Sequence, residues 1–482
     1  MKRRSGILAH ISSLPGDYSI GSIGEAARRF VDVIAEAGFS LWQILPLSMT
    51  DECASPYKSP ASFGANPYLI DLPELYEEGL ITKSELVEAA QVTEGRAELS
   101  RIAEERITLL RRAAERVIDR SEIIAYIDER PELSRAAYFL ALRATNGGKP
   151  WQEWESFVCE IDELFFWQFV QFKFYTQWYR LKAYANSRGV SIIGDLPIYV
   201  APDSADVWAE PEQFLLDERG YPSELAGVPP DYFSKDGQLW GNPIYDWEKM
   251  KRDGYAWWRR RLSHALSMYD GVRIDHFRAI EAYWSVAQGA ESAKEGRWCD
   301  GPRESFVDMI REVADGRLII AEDLGDITDE VRALVDYSGF PGMRVLQFGF
   351  LGESDSLHLP HNYPRHTVAY SGTHDNNTLV GYFSELDGSA RARLADYVGA
   401  PTDLPTDEQE RAVARAAVRT LFSSAADTVI IPVQDVFGLG SADRMNVPGV
   451  AGGNWGYRLT RHLLESFPIA EYRRMNEIFC RG

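Results

Sequence analysis

Three short acidic segments hold the residues best suited to chemistry. They are Gly271-Val272-Arg273-Ile274-Asp275-His276, Ile319-Ile320-Ala321-Glu322-Asp323-Leu324-Gly325 and Ser371-Gly372-Thr373-His374-Asp375-Asn376-Asn377. The first two close short apolar runs that read as buried strands, and the third follows Thr367–Tyr370. The spacing puts Asp275 and Glu322 one strand–helix unit apart, and Glu322 and Asp375 two units apart. Carboxylates at the ends of successive parallel strands can converge on one mouth of a barrel. Two carboxylates flanking a bond, with a third holding the sugar, suit cleavage of a glycosidic linkage.

Each segment implies a role. Strand alternation puts Arg273 and Asp275 on one face, and the cation favours the ionised acid, so Asp275 reads as a nucleophile. A purely structural Arg–Asp pair is the equal alternative. Glu322 follows three apolar residues; desolvation and the neighbouring acids are expected to raise its pKa, leaving a proton for a departing oxygen. Asp323 stays open as a second choice of acid, and both could instead serve the loop that follows. His374 and Asp375 suit hydrogen bonds to vicinal hydroxyls, although Gly372, Asn376 and Asn377 would equally build a turn. Two Pro- and Gly-punctuated segments, 55–68 and 227–243, are read as loops, and they are rich in aromatic residues: Tyr57, Tyr232, Phe233 and Trp240 offer stacking faces for sugars or pins for the loops themselves.

The elements that must position these groups follow one grammar. Ile7–Ile11, Leu41–Leu47, Val190–Ile193, Asp270–Ile274, Leu318–Ala321, Met343–Phe348, Thr367–Tyr370 and Thr428–Val433 make eight strand candidates. Helical periodicity separates most of them, as in Gly24–Ala37, Arg303–Ala314, Asp329–Tyr337 and Asp407–Ala425. Eight such units predict an α/β fold, a TIM (β/α)8 barrel, with residues 1–482 as one catalytic domain. No glycine phosphate fingerprint supports an open doubly wound sheet instead. Residues 51–188 read as a mostly helical subdomain inserted between strands 2 and 3, and 200–260 as a loop insertion after strand 3. Too few residues follow strand 8 for a C-terminal β-sandwich.

Composition narrows the partners. A formal net charge of −21 disfavours nucleic acid and anionic membrane surfaces. No 18-residue apolar stretch and no signal peptide are read, so neither membrane span nor export is expected. Cys53, Cys159, Cys299 and Cys480 form no CxxC and fit a reducing cytoplasm. The eight histidines include no HExxH, so neither a metal nor another cofactor is expected.

Taken together, the segments resemble the 4-α-glucanotransferases (amylomaltases) of glycoside hydrolase family 77. The strings that carry this run in one order: Gly6–Pro15, Ser55–Tyr57, Gly194–Ala201, Gly227–Phe233, Trp240–Pro243, Arg273–Arg278, Ala321–Gly325 and Gly372–Asn376. The resemblance covers essentially the whole chain from Arg4. It implies a barrel with inserted subdomains, Asp275 as nucleophile, Glu322 as general acid/base and Asp375 as the stabiliser that binds sugar. It further implies substrate contacts from Asp195, Arg273, His374, His276 and Asn454, and acceptor-side or lid residues Tyr57, Asp231 and Trp240. The substrates implied are α-1,4-glucans and maltooligosaccharides, with glucose as an acceptor. One departure stands out: the family commonly has Asn-Trp-x-Trp-Arg where this chain has Asn454-Trp455-Gly456-Tyr457-Arg458, which implies an altered glucan contact at Tyr457. The catalytic residues alone do not separate a transferase from an α-amylase-type hydrolase, and a non-catalytic glucan-binding protein is the reading from another class. The three carboxylates argue against the last.

Overall fold

The computed structural model describes residues 3–50, 54–90, 95–97, 99–230, 235–350, 355–401, 403–450 and 452–482. Its twelve strands are β1 (Arg4–Leu8), β2 (Leu41–Gln43), β3 (Ser191–Leu196), β4 (Glu224–Val228), β5 (Gln238–Pro243), β6 (Gly271–Ile274), β7 (Ala282–Ala287), β8 (Arg297–Asp300), β9 (Leu318–Ala321), β10 (Gly342–Val345), β11 (Thr367–Tyr370) and β12 (Thr428–Pro432). Among the described residues, eight of them close a parallel barrel in the order β1-β12-β11-β10-β9-β6-β3-β2. The eight strands are those the apolar runs predict, with ends shifted by a few residues. β2 is only three residues long because Pro46, which has no N–H, soon follows.

Burial on both faces explains why these strands read as continuous apolar runs. Ile7, Val272, Ile320, Val368 and Val429 are all fully enclosed. The C-terminal segment returns to the barrel's entry end. There Arg481, fully buried, donates to the carbonyls of Phe422 and Ser424, and Asn476 joins Ser5 to Ala37. Among the described residues no helix is long and apolar enough to cross a membrane.

Residues between β2 and β3 build a helical layer whose longest member is Ile161–Ser187. That helix is apolar on most sides because it packs against helices on one flank and the barrel on the other. Its polar exceptions are useful. Gln171 accepts from the Ala65 amide, Gln177 both accepts from and donates to Asp71 backbone, and the Tyr175 hydroxyl donates to Phe63 carbonyl. The long helix thereby pins the 61–71 stretch that follows Tyr57.

One element is new relative to the sequence reading. The stretches 227–233 and 238–243, read as loops, contribute β4 and β5, which pair antiparallel. β4 also pairs with β7, and β7 with β8, so a four-stranded sheet β5-β4-β7-β8 stands beside the barrel. Half of this sheet comes from 282–300, beyond the 200–260 insertion. β4 and β5 are interrupted by Gly and Pro, which hides their alternation from a linear reading, and β7 and β8 come from a separate stretch of chain. Asp231, Tyr232 and Phe233 lie outside the described residues, as does Cys53.

β3 carries a tight constraint beside the site. A Cβ on Gly194 would lie 2.0 Å from the Tyr269 ring. Gly194→Ala should lower the urea unfolding midpoint, with a stability loss of about 1–3 kcal/mol from overpacking. A wild-type midpoint would contradict this packing.

Candidate active site

Strand register sets the centre of the site. β3 and β6 pair so that Asp195 lies opposite Arg273. The Arg273 fork meets Asp195 at 2.9 Å (Nε to Oδ1) and 2.7 Å (Nη2 to Oδ2). The same guanidinium reaches Asp275 at 2.9 Å and Glu322 at 3.0 Å. Asp195 and Arg273 side chains are 0% and 3% exposed, whereas Asp275, Glu322 and Asp375 keep 20–45%. The cation and its first partner are therefore structural, and the other three acids face an opening.

A second donor reaches Glu322 from the end of β6. His276 adopts left-handed backbone, φ 51 and ψ 48, a conformation that costs a non-glycine residue energy. It turns the His276 amide onto Glu322 Oε2 at 2.7 Å. Asp275 and Glu322 are also near enough to influence each other's charge.

Charge in this cluster is decided by competition. Desolvation, and then the adjacent Glu322 carboxylate, push Asp275 well above the usual aspartate range, against the pull of Arg273. Desolvation also raises Glu322, but Arg273, Asp275 and the His276 amide outweigh it and hold Glu322 below its ordinary value. The surroundings therefore favour ionisation of Glu322 over that of Asp275. The apolar flanks of Glu322 predict the reverse. They are real, but the fold brings a cation and a backbone donor across from another strand. Arg273 itself stays charged: desolvation opposes it, and Asp195, Glu322 and Asp275 together raise it well above the usual arginine value.

Asp323, the open alternative for the acid, is settled by its contacts. It accepts from the Met343 amide at 2.6 Å and from Arg344 at 2.9 Å, and its side chain is 7% exposed. It joins β9 to β10 and does not face the opening.

Asp375 stands across the cavity, held by a different set. Asn446 donates to its Oδ1 at 2.6 Å, and Arg444 donates to its carbonyl at 2.6 Å. His374 Nε2 lies 3.3 Å from Asp375 Oδ2 and 2.9 Å from the Tyr57 hydroxyl. Tyr57 in turn donates to Asp195 at 2.6 Å, and its ring stacks on His374 with centroids 5.3 Å apart. Hydrogen bonds thus link His374, Tyr57, Asp195 and Arg273, and His374 stands beside Asp375.

The cavity that these groups share measures about 490 Å³. Tyr57, Tyr199, Trp240 and Trp455 give it aromatic walls. Trp240, on β5, meets the His276 ring edge-on at 4.9 Å, so the antiparallel sheet supplies one wall. Trp455, Asn446 and Arg444 were not singled out from the sequence. The Asn454-Trp455 string was the one available signal, whereas nothing local marks Asn446 or Arg444.

Three sequence expectations change position. Asp195 and Arg273 are expected to touch sugar, yet both lie behind the cavity wall, because an unpaired buried charge would be costly. Asn454 lines the cavity, but its amide accepts from Val447 N–H and donates to Val450 carbonyl, fastening the loop 447–450. Tyr457 is buried and lines a separate inner cavity rather than the one that the three acids face. Asp231 lies outside the described residues.

Known proteins with this sequence and shape agree in kind. A family model described as 4-alpha-glucanotransferase matches residues 9–464. The 4-alpha-glucanotransferase of Streptococcus pneumoniae serotype 4 is 41% identical over 507 residues, covering 99% of this chain and 98% of that one. The 4-alpha-glucanotransferase of Thermus thermophilus is 42% identical over 499 residues, covering 99% of each. The amylomaltase of Streptococcus agalactiae, solved in complex with acarbose, superposes with a TM-score of 0.94 at 35% identity over 100% of both chains.

Arg273→Lys should keep a charge but lose the fork that serves three carboxylates. Its kcat/KM on a maltooligosaccharide should fall at least about a hundredfold, the scale of breaking a buried ion pair. Activity near wild type would show that the fork is dispensable.

Proposed function

Because the chain belongs to the 4-alpha-glucanotransferase family, glycoside hydrolase family 77, we propose that Asp275, Glu322 and Asp375 divide its chemistry as nucleophile, general acid/base and sugar-holding stabiliser. The protein is a 4-alpha-glucanotransferase on a (β/α)8 barrel. Its donors are α-1,4-glucans and maltooligosaccharides, and glucose or the 4-hydroxyl of another glucan is the acceptor. The acarbose complex of the Streptococcus agalactiae relative supports a glucan in this cavity.

The observation that carries the reading is the pairing of Asp275 and Glu322 under one guanidinium. Inverting enzymes hold their carboxyls about 6.5–9.5 Å apart to admit a water between acid and base, and retaining enzymes bring them closer. Two carboxyls that share one guanidinium are drawn together rather than held apart around a water, which supports a double displacement.

In that mechanism Glu322 enters the first step protonated and Asp275 ionised. Asp275, neighboured by Arg273, attacks the anomeric carbon. Glu322 gives its proton to the glycosidic oxygen, and the reducing-end fragment leaves. A covalent glucosyl-enzyme remains. Glu322, now a carboxylate, removes the proton from an incoming 4-hydroxyl as its oxygen attacks the same carbon and releases Asp275. Two inversions give net retention. Asp375 and His374 hold the vicinal hydroxyls meanwhile, with Asn446 and Tyr57 keeping them in place.

Transfer requires that sugar, not water, meets the intermediate. The walls of Tyr57, Trp240 and Trp455 give a glucan ring apolar faces and leave less room for water. Trp240 and Tyr57 fit the acceptor side; Asn454 acts by fixing the 447–450 loop. Residues 51–188 and 200–260 are read as insertions into a barrel spanning 1–482, with the antiparallel sheet extending the second. Unpaired Cys159, Cys299 and Cys480 fit a cytoplasmic location.

Incubation with maltotriose should yield glucose together with longer maltooligosaccharides; a profile of shorter sugars alone would identify a hydrolase. Asp275→Asn and Glu322→Gln should each reduce kcat roughly a thousandfold or more, and near-wild-type rates in either would reject its assigned role. The rate should be unaltered by EDTA, and a loss restored by a divalent cation would reject metal-free chemistry.

A further inference from the structure

Behind His374 lies a second, smaller cavity. It offers about 20 Å³ to the centre of a water molecule, where one water needs roughly 10–15 Å³. His374 is part of the wall of this cavity and of the catalytic one, so its ring forms part of the partition between them. The inner wall also contains His10, Ser13 and Tyr457. Their exposures are 6%, 1% and 3%. His10 Nδ1, Ser13 Oγ and the Tyr457 hydroxyl have no hydrogen-bond partner among the described residues.

Most buried polar groups in proteins find a partner, and here three atoms without one belong to residues that line a single cavity. Their number matches the roughly three hydrogen bonds that a buried water makes. The site is also held together firmly. The Leu459 amide donates to the Ser13 carbonyl at 2.7 Å, and Arg458 donates to Gly16, so the segment carrying Tyr457 is tied to the loop after β1.

We propose that this inner cavity is a water site, and that the water held by His10, Ser13 and Tyr457 positions the His374 ring from behind. The proposal rests on His374 as a sugar-holding residue. On its catalytic side His374 is already committed. Tyr57 donates to Asp195, so its oxygen receives the proton of His374 Nε2. A water donating a fourth hydrogen bond to His374 Nδ1 would keep the ring proton on Nε2, the edge beside Asp375. Tyr457 is then a positioning residue. It stands where the family pattern has tryptophan, whose indole donates but cannot accept.

Tyr457→Phe keeps the ring and its packing and removes only the hydroxyl. The expected result is a fall in kcat for maltotriose disproportionation of about two- to tenfold, the worth of one hydrogen bond, with KM and the thermal midpoint unchanged. A crystal structure should show an ordered water within hydrogen-bond distance of the three atoms, lost or displaced in the variant. A dry cavity in the wild type, a water unmoved by the substitution, or an unchanged kcat overturns the proposal. His374→Ala separates this idea from the one beneath it. A large loss there beside an unaltered Tyr457→Phe rejects the water alone; an unaltered His374→Ala rejects the role of His374 itself.

Discussion

A guanidinium enclosed in the mouth of the barrel is the constraint from which the site follows. Arg273 cannot be buried without partners, since an isolated buried cation is too costly. Strand register gives it Asp195, bidentate and fully enclosed, as a permanent counter-ion. Its remaining donors then reach two further acids, Asp275 and Glu322. With one cation among three carboxylates, the local donors decide which acid ionises more readily. The His276 amide, turned inward by strained backbone, tips the balance toward an ionised Glu322.

The rest of the molecule is arranged around that core in two shells. Long-range helical packing fixes the stretch after Tyr57, and Tyr57 carries the hydrogen-bond chain from Asp195 to His374. The C-terminal segment supplies Arg444 and Asn446, which hold Asp375 on the facing side. The antiparallel sheet adds the Trp240 wall. Asp275 and Glu322 directly follow barrel strands, while aromatic walls of the cavity such as Tyr57 and Trp240 come from segments between strands, where change is tolerated without disturbing strand register. His374 belongs to both shells: one edge meets the sugar-holding chain, and its back meets the inner cavity.

The eight strands were legible because each is an apolar run of a few residues closed by polar or turn-forming ones, a local pattern that burial on both faces imposes. The acids at the ends of β6 and β9 and after β11 were legible for the same reason, since a carboxylate directly after such a run has few other uses. Asp323 beside Glu322 was not separable on that basis; only its bonds to Met343 and Arg344, from the next strand, distinguish it. The antiparallel sheet escaped notice because Gly and Pro interrupt β4 and β5, and β7 and β8 come from a separate stretch of chain. Asn446 and Arg444 carried no local mark at all.

Sequence alone determined what each position could do: which runs bury, which acids stand at strand ends, and where aromatic residues crowd a loop. Tertiary structure decided what they do. Ionisation of Glu322 over Asp275, concealment of Asp195 and Arg273, and the turning of Tyr457 into an inner wall all depend on groups brought from distant segments. Electrostatic and hydrogen-bond energies depend on separation in space, and a linear pattern records that separation only within one strand or one turn of helix.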